Sequence, residues 1–209
     1  DLRHREYQKD CLPLLSHERP EVFVTAAWLL HLMPESALAA DVESIFQTRS
    51  ELPDTQPESV LLEPLVTQLT FLIQYAGINK RLGLRPFCEK LFPVPSGPAE
   101  LRAASMWALG KMLAGTGDEA VTKKLLERIF DDNPFFPEFI VVRRMCVLAL
   151  VSMDSRSALP ELDRARTNYG ATSMLGETVR WALPRLGGEQ YPQPAVGRHS
   201  IETFPIGPL

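Results

Sequence analysis

The residues of this chain that could do chemistry are a few thiols, a few histidines and one basic cluster. Cys11 and His17 are the residue types of a nucleophile and its base, in which an imidazole removes the thiol proton. Pro13 lies between them, and no oxyanion donor is recognisable nearby. The spacing therefore does not predict a cysteine nucleophile.

Sequence motifs for metal, phosphate or nucleotide binding are missing. The chain contains no HExxH, P-loop, GxSxG, GxGxxG following a strand, or paired CxxC. Its histidines lack metal-ligand spacing, and its cysteines are odd in number and lack CxxC spacing. These residues are His4, His17, His31, His199, Cys11, Cys88 and Cys146. We therefore predict free thiols, no catalytic residue, no metal and no cofactor.

The net charge and the hydropathy of the chain disfavour several classes of partner. The formal net charge is −4 and the isoelectric point is near 5.6, which disfavours nucleic acid and anionic lipid because both attract clustered positive charge. No apolar run approaches the roughly 20 residues of a membrane-spanning helix, and no signal-peptide apolar region is present. A cytoplasmic location is the default expectation. Asp1 is not a methionine, so the chain is also compatible with a fragment or a processed form.

One local cluster of basic residues could contact a partner. It consists of Lys123, Lys124, Arg128, Arg143 and Arg144. Glu127, Asp131 and Asp132 lie beside it in the sequence, so a solvated helix face is the simpler interpretation. The binding interpretation selects Lys123, Lys124, Arg128 and Arg144 as partner contacts.

The segment NPFFPEF contains the second candidate, Phe135, Phe136 and Phe139. A loop rarely carries so many aromatic residues unless they pack or bind. We expect them to pack into a groove between neighbouring helix pairs. Phe135 and Phe136 are also candidate partner contacts.

The elements that must position these residues repeat along the chain. In segment 101–112, positions i, i+3, i+4, i+7, i+8 and i+11 form a stripe of apolar or small side chains. The stripe occurs five times, with intervals of 40, 39, 41 and 33 residues between its first positions. These first positions are Val22, Leu62, Leu101, Val142 and Leu175. A period near 40 with two helices per unit is typical of an α-solenoid.

A second amphipathic helix is predicted after each of the first four stripes, over residues 35–48, 82–91, 118–130 and 157–169. Gly170 is well placed to end the last of them. Pro20, Pro98 and Pro137 mark the starts of three stripe helices, because proline is tolerated in a first helical turn. Residues 50–59 form a polar linker.

Trp28, Trp107 and Trp181 each lie six residues after the first position of a stripe, and Leu148 lies at the equivalent place in the fourth copy. The recurrence favours packing between helices. If the indoles were exposed, they could instead anchor a partner or stack on a base.

A helix pair of about 40 residues whose first helix begins Leu101-Arg102 or Val142-Arg143, followed by small residues, resembles HEAT repeats, in the bacterial phycobilin-lyase-like style. The resemblance covers residues 20–186. It implies a right-handed, armadillo-like α-solenoid of about five antiparallel helix pairs. It also implies that Arg102 and Arg143 are structural, bonding an acidic side chain or carbonyl between repeats, with Asp131 or Asp132 as candidate partners.

The predicted organisation is a solenoid over residues 1–187, with a half-repeat at 1–19, followed by a proline-rich tail at 188–209. We expect the tail to lie along the last helix pair with Tyr191, Ile201 and Phe204 as anchors. The predicted function is a non-catalytic scaffold that binds a protein or peptide on a curved surface. The resemblance also leaves an alternative: a HEAT-repeat enzyme or enzyme subunit, bilin-lyase-like or, against the acidic charge, alkylpurine DNA glycosylase-like.

Overall fold

The structure, a computed structural model, describes residues 7–52, 61–93, 97–170 and 172–190. Across these residues the chain forms ten α-helices and no β-strand, which confirms the all-α prediction. Most of the predicted linker and nearly all of the predicted tail lie outside the described residues, as do the expected anchors Tyr191, Ile201 and Phe204.

The helices agree closely with the predicted segments. In chain order they are α1 Gln8–Leu14, α2 Pro20–Leu32, α3 Ala39–Ser50, α4 Leu62–Ile78, α5 Arg85–Lys90, α6 Ala99–Met112, α7 Glu119–Ile129, α8 Ile140–Ser152, α9 Leu159–Tyr169 and α10 Met174–Ala182. Short 3-10 turns precede α3, α5 and α9, and another follows α10. These turns are Ser36–Leu38, Leu82–Leu84, Arg156–Ala158 and Leu183–Leu186.

The ten helices form two sets that pack differently. The even-numbered helices correspond to the five stripes, and each packs against the next even-numbered helix along the chain. Each odd-numbered helix has the even-numbered helix after it, rather than the one before it, as its principal neighbour. The inner even-numbered helices are therefore covered on several sides, and α6 and α8 are buried almost all round.

Proline and glycine set several helix ends. Pro20 begins α2 and Pro98 caps α6, while Pro86 and Pro160 hold the second positions of α5 and α9. Proline suits these places because the first-turn N–H groups have no partner within the helix. Gly170 ends α9 with a φ of +69°, a conformation that side-chain-bearing residues rarely adopt, which confirms the predicted stop.

The stripes are buried in three of the five copies. All six positions of the stripes that begin at Leu101, Val142 and Leu175 are inside the core. The first stripe agrees less well, because Thr25 is exposed and Val22, Leu29 and Met33 are only half-buried. The buried side chains of α2 are Phe23, Val24, Ala26, Ala27 and Leu30.

Two glycines fix the register of α4. A Cβ atom at Gly77 would lie 2.7 Å from the Cα of Ala108, and one at Gly110 would lie 2.4 Å from the Cα of Ala149. Ala108 and Ala149 share one stripe position, so Gly77 and Gly110 are equivalent, 33 residues apart. Alignment on these glycines would begin the α4 stripe at Gln68, six residues after the predicted Leu62. Four of the six predicted positions, Leu65, Leu69, Thr70 and Ile73, are nevertheless buried. The helix is buried on every side from there to Gly77, so its apolar pattern does not select one register.

The described residues contain neither a disulfide nor a membrane-crossing helix. Cys88 and Cys146 are buried and Cys11 is half-buried, and all three are free thiols, as predicted. None of the described helices combines the length and the apolar character needed to cross a membrane.

Candidate protein-docking site

A run of exposed aromatic side chains lies between α7 and α8. Phe135, Phe136 and Phe139 are 83%, 65% and 62% exposed, and the neighbouring Ile140 is also exposed. The expectation that these phenylalanines pack into a groove between helix pairs is therefore wrong. We call residues 131–140 the aromatic loop. Exposed apolar surface of this kind is typical of sites that bind another protein.

Side-chain turns fold the tip of the aromatic loop locally. The Oδ1 atom of Asn133 accepts the backbone N–H of Phe135 at 2.9 Å and that of Phe136 at 3.2 Å. The Oδ1 atom of Asp131 accepts the N–H of Asn133 at 3.3 Å. Asparagine and aspartate favour such turns because their short side chains reach the backbone two residues further on.

A buried ion pair attaches the loop to α6. The Arg102 guanidinium donates to Oε2 of Glu138, and the two side chains are 2% and 0% exposed. The other carboxylate oxygen of Glu138 accepts the N–H of Phe139 at 2.8 Å, and Nε of Arg102 donates to the Leu91 carbonyl at 3.4 Å. Both charged groups therefore have the partners that burial demands. The predicted partner of Arg102, Asp131 or Asp132, is wrong, because Glu138 forms the buried ion pair while Asp131 pairs with Arg128 and Asp132 with Arg143.

A second buried arginine holds the loop from α8. Arg143 donates through Nε to the carbonyl of Glu138 at 3.1 Å and through Nη1 to Oδ1 of Asp132 at 2.8 Å. Its Nη2 donates to the carbonyl of Asp131. These contacts confirm the predicted partners of Arg143. Nη1 also donates to the hydroxyl of Tyr169 at 3.1 Å, and burial raises the pKa of that phenol.

Polar contacts thus hold the aromatic loop in place, and its apolar side chains remain exposed. Its backbone is attached at Asp131, Asn133 and Glu138, whereas the phenylalanine rings face solvent. A surface fixed before binding loses little conformational entropy when a partner arrives. Large aromatic side chains in such a position are suited to filling an apolar pocket on another protein.

The lysines of the basic cluster lie apart from this loop. Lys124 forms an ion pair with Glu89 of α5 at 2.8 Å, and its ammonium lies 5.5 Å from the centroid of the Phe92 ring. The hydrogen bond from Lys124, with a contribution from Arg85, lowers the pKa of Glu89. Lys123 is exposed on α7.

The arginines of the cluster are also separated. Arg128 pairs with Asp131 at 2.8 Å, which places it beside the aromatic loop. Arg144 is half-buried and donates through Nε to the hydroxyl of Thr178 on α10 at 3.1 Å, and burial lowers the pKa of its guanidinium. Of the six candidate contacts, the structure therefore brings together Phe135, Phe136 and Arg128 only.

The groups considered for catalysis do not meet. Cys11 donates from Sγ to the carbonyl of Tyr7 at 3.7 Å, and Nδ1 of His17 accepts the N–H of Arg19 at 3.0 Å. Burial raises the pKa of the Cys11 thiol. Within the described ranges no cluster of three or more histidine, cysteine or acidic side chains could hold a metal ion.

The tryptophans line two separate cavities. Trp107 and Trp181 share a cavity of about 240 Å³ with Leu148, the equivalent residue of the fourth copy. Trp28 borders a more apolar groove of about 560 Å³ between α2 and α4, together with Phe71. Trp181 is buried, whereas Trp28 and Trp107 are half-buried. Most of the indole surface therefore packs between helices, and the remainder borders these cavities.

Sequence reasoning missed three residues at these surfaces. Glu138 is the anchor of the aromatic loop, and Lys111 and Arg185 lie in the cavity of the two tryptophans. The sequence did contain a signal for Lys111 and Arg185. Each follows a tryptophan by four residues, which is the spacing of neighbours on a helix face. Nothing in the local sequence distinguished Glu138 from the other loop acids.

Comparisons with protein-family models, with curated proteins and with solved structures found no match for this chain.

Proposed function

We propose that this chain is a non-catalytic protein-binding scaffold, and that the aromatic loop is its docking surface. In this proposal the helices form a right-handed, HEAT-like α-solenoid in which the even-numbered helices make one layer and the odd-numbered helices make the other. The partner is a protein or peptide with an apolar pocket.

Contacts that recur from one helix to the next support the solenoid. Arg102 and Arg143 each follow the first position of a stripe and both are buried. Each donates to a carbonyl just after an odd-numbered helix, at Leu91 and Asp131. The close approaches of Gly77 and Gly110 to the following even-numbered helix recur in the same way. Recurring contacts between nearest neighbours are the defining property of repeat proteins.

The observation that carries the proposed function is the exposure of three phenylalanines on a backbone that two buried arginines hold in place. Mostly exposed aromatic rings contribute little to folding, because most of their surface remains in contact with water. Their burial against a partner would release that surface from water, at roughly 25 cal/mol per Å² of apolar area. The arrangement therefore favours binding over a role in stability.

The test compares three forms of the protein in affinity capture from the source cell. One form carries Phe135→Ser, Phe136→Ser and Phe139→Ser. The matched control carries Leu32→Ser, Leu82→Ser and Met174→Ser, which are exposed apolar residues elsewhere on the surface. We expect one or more proteins to be retained by the wild type and by the control but lost with the loop variant.

Purified candidates would then be titrated against all three forms by calorimetry. All three should have similar melting curves, because the substituted side chains are exposed. Equal capture and equal affinity for the loop variant and the wild type would contradict the proposed docking surface.

A further inference from the structure

A second surface with the properties of a binding site lies across α6, α8 and α10. Trp107 and Trp181 form two of its walls, and Leu148 and Val151 of α8 lie between them with Ser152. The cavity has a volume of about 240 Å³, enough for one side chain and a short stretch of backbone. We call it the tryptophan groove. It uses none of the residues of the aromatic loop.

A cationic side chain lies over each indole of the tryptophan groove. Nζ of Lys111 lies 5.3 Å from the centroid of the Trp107 ring, and the guanidinium carbon of Arg185 lies 4.1 Å from that of Trp181. Nη1 of Arg185 also donates to the carbonyl of Trp181 at 2.8 Å. Cation–π contacts of this kind hold the positive groups at the indole faces. A tryptophan followed four residues later by a cation thus occurs twice, once on α6 and once across α10 and the 3-10 turn that follows it.

Two cationic side chains line the tryptophan groove although the chain as a whole is acidic. Lys111 and Arg185 are among its lining residues, and none of the residues that line it is acidic. The formal net charge of the chain is −4. Cations at two points of a groove favour a ligand with negative groups at matching positions.

An acidic residue on α10 limits the length of an anionic ligand that the groove could accept. Glu177 is exposed one helical turn before Trp181, and residues four apart lie on the same face of a helix. Its carboxylate would repel an anion that extended in this direction. A short acidic segment therefore fits the charges better than a long polyanion such as a nucleic acid strand.

We propose that the tryptophan groove binds a short acidic peptide segment of a partner protein. Carboxylates of the segment pair with Lys111 and Arg185, and an apolar side chain between them lies over Leu148, flanked by the two indoles. Charge-assisted hydrogen bonds fix the ends of the segment, and apolar contact fixes its centre. The site is additional to the aromatic loop and does not depend on it.

The experiment uses the full chain with Trp28→Phe, so that the only tryptophans left to fluoresce are the two in the groove. The probes are blocked hexapeptides with glutamate at both ends and leucine or phenylalanine at the centre. Peptides with glutamine in place of glutamate serve as neutral controls. We expect a saturable change in fluorescence with the acidic peptides and at least about tenfold weaker binding of the neutral ones.

Charge reversal separates recognition from a structural effect. Lys111→Glu should weaken binding of the acidic peptide by about tenfold or more and should restore binding to a peptide with lysine at the matching end. Lys123→Glu makes the same change of charge at an exposed site on α7 and should leave both affinities unchanged. Circular dichroism would verify that both variants are folded.

Three results would overturn the proposal. The first is the absence of a saturable response to any acidic peptide. The second is an equal effect of Lys111→Glu and Lys123→Glu. The third is tighter binding of a single-stranded oligonucleotide than of any acidic peptide at roughly 200 mM salt, where phosphate-driven binding is already weakened, because this would assign the groove to base stacking.

Discussion

Arg102 of α6 donates to the carboxylate of Glu138, and this ion pair is the buried link between the helical framework and the exposed phenylalanines. The carbonyl of Glu138 accepts in turn from Arg143 of α8. One loop residue therefore receives an arginine from each of two successive even-numbered helices. The position of the aromatic loop is consequently tied to the packing of α6 on α8.

Loss of the carboxylate at Glu138 should destabilise the protein strongly. Glu138→Ala leaves Arg102 buried without its counter-charge, and we expect a loss of about 3–5 kcal/mol in the free energy of unfolding, measured in urea. The control is Arg156→Ala, which removes a pair whose side chains are 73% and 47% exposed and should cost about 0–1 kcal/mol.

The double variant Arg102→Met, Glu138→Leu sharpens this test. Because it removes both charges, it should be more stable than Glu138→Ala. If Glu138→Ala cost no more than Arg156→Ala, the ion pair would not be the link that the structure indicates.

A methyl group at Gly110 should weaken the packing of α6 on α8. Alanine would normally stabilise a helix interior by roughly 1 kcal/mol relative to glycine. Here its Cβ would lie 2.4 Å from the Cα of Ala149, so we expect Gly110→Ala to cost about 1–3 kcal/mol instead. Adding Ala149→Gly should recover part of this loss. A stabilising effect of Gly110→Ala alone would contradict the close approach of the two helices.

Truncation of core leucines should confirm which faces of the even-numbered helices are buried. Leu109 and Leu150 are fully buried at equivalent stripe positions, and each change to alanine should cost about 2–5 kcal/mol. Leu32→Ala is the matched control, because that leucine is exposed. Similar unfolding midpoints for all three variants would show that the stripes do not form the core.

The stability of the protein should depend on pH through His31. Its ring packs against Phe71, with 5.8 Å between centroids, and burial lowers the pKa of the imidazole below its ordinary value of 6.5. The unfolded chain therefore binds a proton at a higher pH than the folded chain does. Stability from this residue is complete above about pH 6.5 and is lost as the pH falls toward the folded pKa.

Urea unfolding of the wild type and of His31→Leu between pH 5 and pH 8 would measure this effect. The wild type should lose stability relative to the variant as the pH falls below about 6.5, and the difference between the two should be constant at higher pH. A constant difference over the whole range would contradict the lowered pKa.

Much of the helical architecture was predictable, because periodic apolar residues identify a helix and proline and glycine mark its ends. The stripe of α6 shows this, since all six of its positions are buried. The register of α4 was not predictable in this way. From Gln68 to Gly77 every side is buried, and only the contact of Gly77 with Ala108 in space defines the alignment.

The site was less predictable than the fold. Residue type alone does not say whether a phenylalanine in a loop packs inward or faces solvent, and Phe135 faces solvent. The partner of Arg102 was not predictable either, because the sequence offers three acidic side chains, Asp131, Asp132 and Glu138. Only the folded loop shows which of them reaches the guanidinium. The cations of the tryptophan groove could have been found from their spacing, but their shared cavity depends on the packing of three helices.

In the aromatic loop, the residues that hold the backbone differ from those that form the exposed apolar surface. The side chains of Asn133 and Glu138 hold the backbone by accepting its N–H groups, whereas the rings of Phe135, Phe136 and Phe139 are mostly exposed and take no part in these hydrogen bonds. Random substitution at these three positions would therefore vary the chemistry of the surface at constant backbone shape. The chain could in this way be selected for new specificities without being redesigned, and related proteins could diverge in their targets while retaining one framework.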